Sequence, residues 1–291
     1  MKAAIAIAEA GLAPDFIIRQ GIRMLLRSRL KNQANSDLAD LVRQMSEGPL
    51  AVQTGSANDQ HYEVPAGFFK LMLGQRLKYS CSLYEQESIS LDAAELAMLN
   101  LTADRARLAD GMDILELGCG WGSLTLYMAQ RYPDSRIVAV SNSNSQREFI
   151  EARAREQALT NIEVITTDIN KFETTLTFDR VVSIEMFEHL RNHSLLFERL
   201  NTWLKDDGLI FVHIFAHHKE SYLFEVEHER DWMAEHFFTG GMMPSMDLLP
   251  KTAKGFKELN RWEINGVHYS KTLEAWLSKQ DENEDAIMEQ F

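Results

Sequence analysis

At 291 residues the chain can hold one large domain or a domain with an appendage. Hydrophobic content of 45% and charged content of 25% are ordinary for a soluble globular protein. The formal net charge of −13 argues against a nucleic-acid backbone as substrate, because phosphate binding needs basic surface.

The apolar start of the chain is interrupted by Glu9, too early for a signal peptide or a membrane span. From about Pro14 to Lys31, Phe16, Ile17, Ile22, Leu25 and Leu26 alternate at helical spacing with Arg19, Arg23, Arg27, Arg29 and Lys31. This predicts a basic amphipathic helix that packs on the main domain or lies on a membrane surface or acidic partner. A second helix is expected over 38–45, and the polar stretch from Glu47 to Gln60 reads as a loop. Residues 1–60 therefore form a helical extension and 61–291 the main domain. His61-Tyr62-Glu63-Val64-Pro65 leads into a short helix over 66–73. The segment Leu77-Lys78-Tyr79-Ser80-Cys81-Ser82-Leu83-Tyr84 is rich in small polar and aromatic groups, and an amphipathic helix is expected over 91–108. Cys81 and Cys119 lie in unrelated contexts and suggest no disulfide framework, which fits a reducing cytoplasm.

From Gly111 the alternation becomes regular. Strands are expected over 112–117, 136–140, 162–166, 179–184 and 209–215, with helices over 123–131, 145–157 and 194–203. Such βαβ units make a parallel sheet covered on both faces, with ligands at the carboxyl ends of the strands. Those ends carry Glu116, Ser141-Asn142, Asp168, Glu185 and His213-Ile214-Phe215. Beyond Ala216 the pattern is helical and aromatic, with a break at Phe237-Phe238-Thr239-Gly240-Gly241-Met242-Met243-Pro244-Ser245. This reads as a helical cap inserted at about 216–258. Two final strands, 261–264 and 267–269, are expected to flank the turn Asn265-Gly266.

The first strand runs through Ile114-Leu115-Glu116-Leu117 into Gly118-Cys119-Gly120-Trp121-Gly122, and a helical pattern follows at once. Glycines suit a turn with unusual backbone angles whose main chain a ligand must approach, and the new helix directs its free N–H groups at that ligand. An acidic residue with Gly-x-Gly-x-Gly in this context points to a nucleoside-type cofactor. The dinucleotide version spaces its glycines as Gly-x-Gly-x-x-Gly and places a carboxylate after the second strand. Here that strand ends in Ser141-Asn142-Ser143-Asn144-Ser145-Gln146. Asn142 and Gln146 can hydrogen-bond ribose hydroxyls. Asp168 can accept from an adenine amino group or cap a helix. His217, His218, His228 and His236 match no standard ligand spacing, so no metal is expected.

The tighter glycine spacing resembles S-adenosylmethionine-dependent methyltransferases. Several stretches together resemble the group that holds cyclopropane-fatty-acid synthases, mycolic acid methyltransferases and coclaurine N-methyltransferases. They are Tyr79-Ser80-Cys81, Leu115 through Gly122, Ser141-Asn142-Ser143 with Gln146, and Ser183-Ile184-Glu185-Met186-Phe187-Glu188-His189. The His213 strand, Asp231-Trp232-Met233, Phe237 through Ser245 and Trp262 through Trp276 complete them. The resemblance implies a Rossmann-like class I methyltransferase sheet with helices on both faces. It implies that Tyr79, Ser80, Gly118, Gly120, Gly122, Asn142, Gln146, Asp168 and Ile169 hold S-adenosylmethionine, with S-adenosylhomocysteine as product; Glu116 faces the same crevice.

The first glutamate of Glu185-Met186-Phe187-Glu188-His189 resembles the N-methyltransferase branch. An ammonium acceptor must lose its proton before methylation; a carboxylate can hold the cation and a histidine can take the proton. Glu185, Glu188 and His189 are the expected machinery on the acceptor side, and the acceptor is expected to be a small cyclic or aromatic amine. The fatty-acid branch uses a bound bicarbonate, whose ligands would map by resemblance to Cys81, Glu188, His213 and Tyr269, so methyl transfer to unsaturated lipid is the alternative. Members of the group usually continue past the position of Phe291 with a segment over the active site. A cofactor-binding chain without catalysis is therefore a further reading.

Overall fold

The computed structural model describes residues 2–31, 37–52, 55, 64–86, 89–226 and 231–291. His61, half of the loop expected over 47–60, the boundary expected at residue 60 and His228 lie outside the described residues.

Five strands, β1 (Asp113–Leu117), β2 (Arg136–Ser141), β3 (Ile162–Thr166), β4 (Phe178–Ile184) and β5 (Leu204–His213), form one sheet in the order β3-β2-β1-β4-β5. Every neighbouring pair is parallel. The strands are apolar on both sides because both faces are covered. Leu115, Leu117, Val138, Val140 and Val181 meet Phe172, Phe187 and Trp203 on one face. Ile114, Ile137 and Val182 meet Leu99, Leu124 and Met128 on the other. Helices Ser123–Arg131, Asn144–Glu156 and His193–Trp203 are crossovers, and Leu91–Arg105 precedes β1. Strand order reverses between β1 and β4, and at such a switch point the carboxyl ends open a crevice.

The N-terminal part joins this body. Leu50 and Ala51 are buried in the main core, and the backbone N–H of Arg191 donates to the Leu50 carbonyl at 2.7 Å. Helix Asp15–Lys31 lies on the surface, with Phe16, Met24, Leu26 and Leu30 exposed. The Arg19 guanidinium bonds Glu274 at 2.8 Å, and Arg29 lies over the Tyr222 ring at 4.6 Å. Among the described residues no helix is long and apolar enough to cross a membrane.

Two expectations are corrected. The cap is not purely helical: β6 (Tyr222–Leu223) pairs antiparallel with β7 (Met242–Met243), beside a short π-helical turn, Met233–Phe237, and helix Leu248–Thr252. Gly240, at φ 76°, lets the chain turn back into β7. The two final strands do not form; 259–266 is irregular and Val267–Glu282 is a helix. Asn265 starts that helix instead of a hairpin, its Oδ1 accepting from the Val267 N–H at 3.0 Å. Thr272 and Trp276, buried four residues apart, mark its inner face. The acidic stretch 281–290 holds the end of this helix and the short helix Glu284–Met288.

One buried group makes the fold acid-sensitive. His193 is 1% exposed, its Nε2–H donates to the Phe187 carbonyl at 2.8 Å, and burial pushes its pKa down to about 4. A depressed pKa stabilises the fold above the unfolded value near 6.5 and is lost as pH falls through the folded one. At about 1.4 kcal/mol per unit this is roughly 3 kcal/mol. Chemical denaturation of His193→Gln should show an acid-side decline smaller by that amount.

Candidate active site

The carboxyl ends of the strands surround a cavity of about 580 Å³, within the range of small-molecule sites. Its floor is the turn between β1 and helix Ser123–Arg131. Gly118, Gly120 and Gly122 have φ of 78°, 51° and 78°, all left-handed. A Cβ on Gly118 would stand 2.6 Å from Met186 and one on Gly122 2.5 Å from Ile150, whereas one on Gly120 meets nothing within 4 Å. Gly120 thus leaves a bare stretch of main chain on the cavity wall. The N–H groups of Gly118 and Cys119 both donate to the Val140 carbonyl, tying the turn to β2. Glu116 lies beneath it, accepting from the Thr125 hydroxyl at 2.5 Å, and burial pushes its pKa up to about 8.

One end of the cavity fits a nucleoside. Gln146 Nε2, Trp121 Nε1 and Ser123 Oγ are buried on its wall without a hydrogen-bond partner. The Ser141 hydroxyl donates to Gln146 Oε1 at 2.6 Å, fixing the amide so that its NH₂ is left as a donor. Asn142, Asp168, Ile169, Tyr79 and Ser80 share this wall. The Asp168 carboxylate also accepts from the Asn170 N–H at 2.8 Å, so it caps a turn while facing the cavity. Orphaned donors around a bare glycine turn fit the hydroxyls and ring nitrogens of S-adenosylmethionine. Burial, assisted by Glu185, pushes the Tyr79 phenol up to about 12, so it stays protonated.

The other end is acidic and aromatic. Glu185 follows β4 with φ 49°, a left-handed conformation uncommon for residues with a side chain. Its backbone N–H donates to the His213 carbonyl at 2.7 Å. Oε1 accepts from the Cys81 N–H at 2.9 Å, and Oε2 accepts from the Tyr269 hydroxyl at 2.8 Å. Burial raises its pKa, opposed by the Lys78 charge. His189 closes the 3₁₀ turn Phe187–His189, its ring centroid 4.4 Å from that of Phe238. Phe215, Phe224, Met233, Phe237 and Met243 complete the wall, while Met242 packs instead with Met45 and Leu248 in a separate core.

Three expected residues sit elsewhere. Glu188 is fully buried and off the cavity wall; Oε1 accepts from the Phe215 N–H at 2.8 Å and Oε2 has no partner. Burial, with Glu185 nearby, holds its pKa well above the carboxylate range. A 3₁₀ turn sends successive side chains about 120° apart, so Glu188 points into the protein where His189 points into the cavity. His213 is also off the wall, and burial pushes its pKa down to about 3, with Lys78 and Arg105 adding to the effect. Cys81 is buried, its thiol pushed up to about 12 by burial and Glu185, and it contributes its backbone N–H.

Lys78 was not singled out by sequence, although a lysine between Leu77 and Tyr79 in a run of apolar and small residues was the visible signal. It is 3% exposed and reaches the cavity wall. Its Nζ donates to Ser80 Oγ and to the Cys81 carbonyl, both at 2.6 Å.

Residues 52–291 match the family model described as mycolic acid cyclopropane synthetase. (S)-coclaurine N-methyltransferase of Thalictrum flavum subsp. glaucum is 39% identical over 97% of this chain and 81% of its own. Cyclopropane-fatty-acyl-phospholipid synthase of Escherichia coli (strain K12) is 28% identical over 88% of this chain and 65% of its own. Among solved structures, coclaurine N-methyltransferase bound to N-methylheliamine and SAH superposes with a TM-score of 0.92. It is 35% identical and covers 97% of this chain and 84% of that one. Mycolic acid cyclopropane synthase CmaA1, complexed with SAH and CTAB, gives 0.72 at 25% identity, covering 83% and 87%.

Proposed function

Since the chain belongs to the mycolic acid cyclopropane synthetase family and is an S-adenosylmethionine-dependent methyltransferase, we propose that it methylates the nitrogen of a small cyclic or aromatic amine. The observation that carries this reading is the seat of Glu185. Its carboxylate takes the Cys81 N–H and the Tyr269 hydroxyl, two of the positions that the fatty-acid branch would give to bicarbonate. A fixed protein carboxylate there suits a cationic acceptor. The N-methylated amine in the coclaurine N-methyltransferase structure is consistent with it.

In this reading the glycine turn, Glu116, Tyr79, Ser80, Asn142, Gln146, Asp168 and Ile169 hold the cofactor. When bound, S-adenosylmethionine supplies an electrophilic methyl group at its sulfonium. Glu185 would hold the incoming ammonium, and His189 would take the proton that frees the nitrogen lone pair. Phe215, Phe237 and Phe238 pack the amine's rings and keep water away, so the nucleophile is aligned and desolvated. Glu188 supports the site from behind by holding the Phe215 backbone. The acceptor-side role given to it by sequence passes to Glu185 and His189.

The lipid reading keeps one supporting observation, the exposed Phe16, Met24 and Leu26 beside Arg23 and Arg27 on helix Asp15–Lys31. The test is transfer of labelled methyl from S-adenosylmethionine to coclaurine or to unsaturated phosphatidylglycerol vesicles. Label is expected in the amine. Label in lipid alone would overturn N-methylation and favour the bicarbonate chemistry of the fatty-acid branch.

A further inference from the structure

We propose that Lys78 is a positioning residue that joins the two halves of the site, bolting the 78–81 turn of the cofactor wall so that the Cys81 N–H is aimed at the Glu185 carboxylate. The inference rests on the N-methyltransferase reading for its catalytic consequence and on geometry for its structural one.

Lys78 is the second residue of the wall segment that carries Tyr79 and Ser80, and its ammonium folds back onto that segment. One hydrogen bond goes to Ser80 Oγ and one to the Cys81 carbonyl, each 2.6 Å. Residue 81 is then held from both sides: its carbonyl by Lys78, its N–H by Glu185 Oε1 at 2.9 Å. The ammonium does not sit on Glu185 itself. The carboxylate therefore keeps lone pairs for an acceptor while feeling a buried positive charge close by.

A buried ammonium needs a reason, because desolvation costs several kcal/mol unless charges and hydrogen bonds offset it. Burial lowers the Lys78 pKa, and the charges of Glu185 and Glu95 oppose it only in part. Glu95 is committed elsewhere, accepting from the Gly74 and Arg76 N–H groups at 3.0 Å each. Of the two carboxylates, Glu185 bears more strongly on Lys78. Around Glu185 itself stand Lys78, the Tyr269 and Tyr79 phenols, the Cys81 thiol and Glu188. Near Lys78 on β5 is His213, which also feels Arg105 at the end of helix Leu91–Arg105. Among these, Lys78 is the cation whose charge bears on Glu185, so removing it makes the Glu185 carboxyl harder to ionise.

The experiment uses the full chain with Lys78→Met, Lys78→Arg, Glu185→Gln and the double replacement K78M/E185Q. In K78M the acid limb of kcat/KM for coclaurine should move at least about one pH unit upward, while Lys78→Arg keeps the wild-type limb. Calorimetric affinity for S-adenosylhomocysteine should fall about tenfold in K78M, since Tyr79 and Ser80 lose their bolt. The loss of unfolding temperature in K78M at pH 8 should be at least halved when Glu185→Gln is also present. An unmoved pH limb, or temperature losses that simply add, would overturn the proposal. Should K78M alone not fold, a folded, S-adenosylhomocysteine-binding double replacement supports it and a double replacement that also fails to fold overturns it. If the wild-type chain methylates no amine, the functional reading fails, and the unfolding cycle still judges Lys78.

Discussion

Glu185→Gln is expected to lower kcat/KM for coclaurine by roughly 10²- to 10³-fold while S-adenosylhomocysteine affinity stays within about threefold. The size follows from what the replacement removes. Breaking one side of a buried ion pair costs about 3–5 kcal/mol, and the acceptor's ammonium would be the side left unpaired. A glutamine oxygen could still accept from the Cys81 N–H or the Tyr269 hydroxyl, so the cavity should keep its shape. His189→Ala should cost on the order of 10²-fold, the usual loss on deleting a general base. Without that base the nitrogen must arrive already neutral, so the residual rate should climb with pH up to the amine's own pKa. Radiometric pH–rate profiles beside calorimetric binding curves test this. Equal loss of turnover and S-adenosylhomocysteine affinity in Glu185→Gln would mean that the carboxylate supports the cavity and not the acceptor.

Glu188 separates the two roles that the sequence bundled together. The motif Glu185-Met186-Phe187-Glu188-His189 shows three titratable groups within five residues, and nothing in its spacing says that the turn is 3₁₀. The tighter winding is a tertiary result, set where β4 ends against Phe215 and the aromatic core. The sheet was legible because its signal is local: apolar runs, short connections and a glycine turn all read the same way. The Gly118–Gly122 turn was likewise placed by its glycines, because few other residues adopt its left-handed angles. Asn265-Gly266 shows the opposite case. An asparagine–glycine pair serves a hairpin or a helix start equally well, and the buried inner face of Thr272 and Trp276 decides for the helix. Lys78 showed in sequence only as a lysine in an apolar run, and what it does was hidden for a similar reason. Its role depends on Glu185, 107 positions away in sequence but joined to it through residue 81.

Gly120→Ala is expected to weaken S-adenosylhomocysteine binding by about 100-fold or more while leaving the fold largely intact. The three glycines of the turn differ in what a methyl group would meet. At Gly118 and Gly122 it would collide with Met186 and Ile150 at 2.6 and 2.5 Å, so alanine there should damage packing first. At Gly120 the space is open within 4 Å and belongs to the cavity wall. The folded chain bears only the cost of a left-handed alanine at φ 51°, about 1–2 kcal/mol. A cofactor lying against the turn meets the new methyl group directly, and the orphaned Gln146 and Trp121 donors behind it lose their partners as the ligand is displaced. Thermal unfolding and calorimetry on Gly120→Ala and Gly122→Ala together give the contrast. Gly120→Ala should lose affinity with a small drop in unfolding temperature, and Gly122→Ala should show the larger drop. Unimpaired S-adenosylhomocysteine binding in a folded Gly120→Ala protein would mean that the ligand does not lie on this turn, and the placement of the whole cofactor end would fall with it.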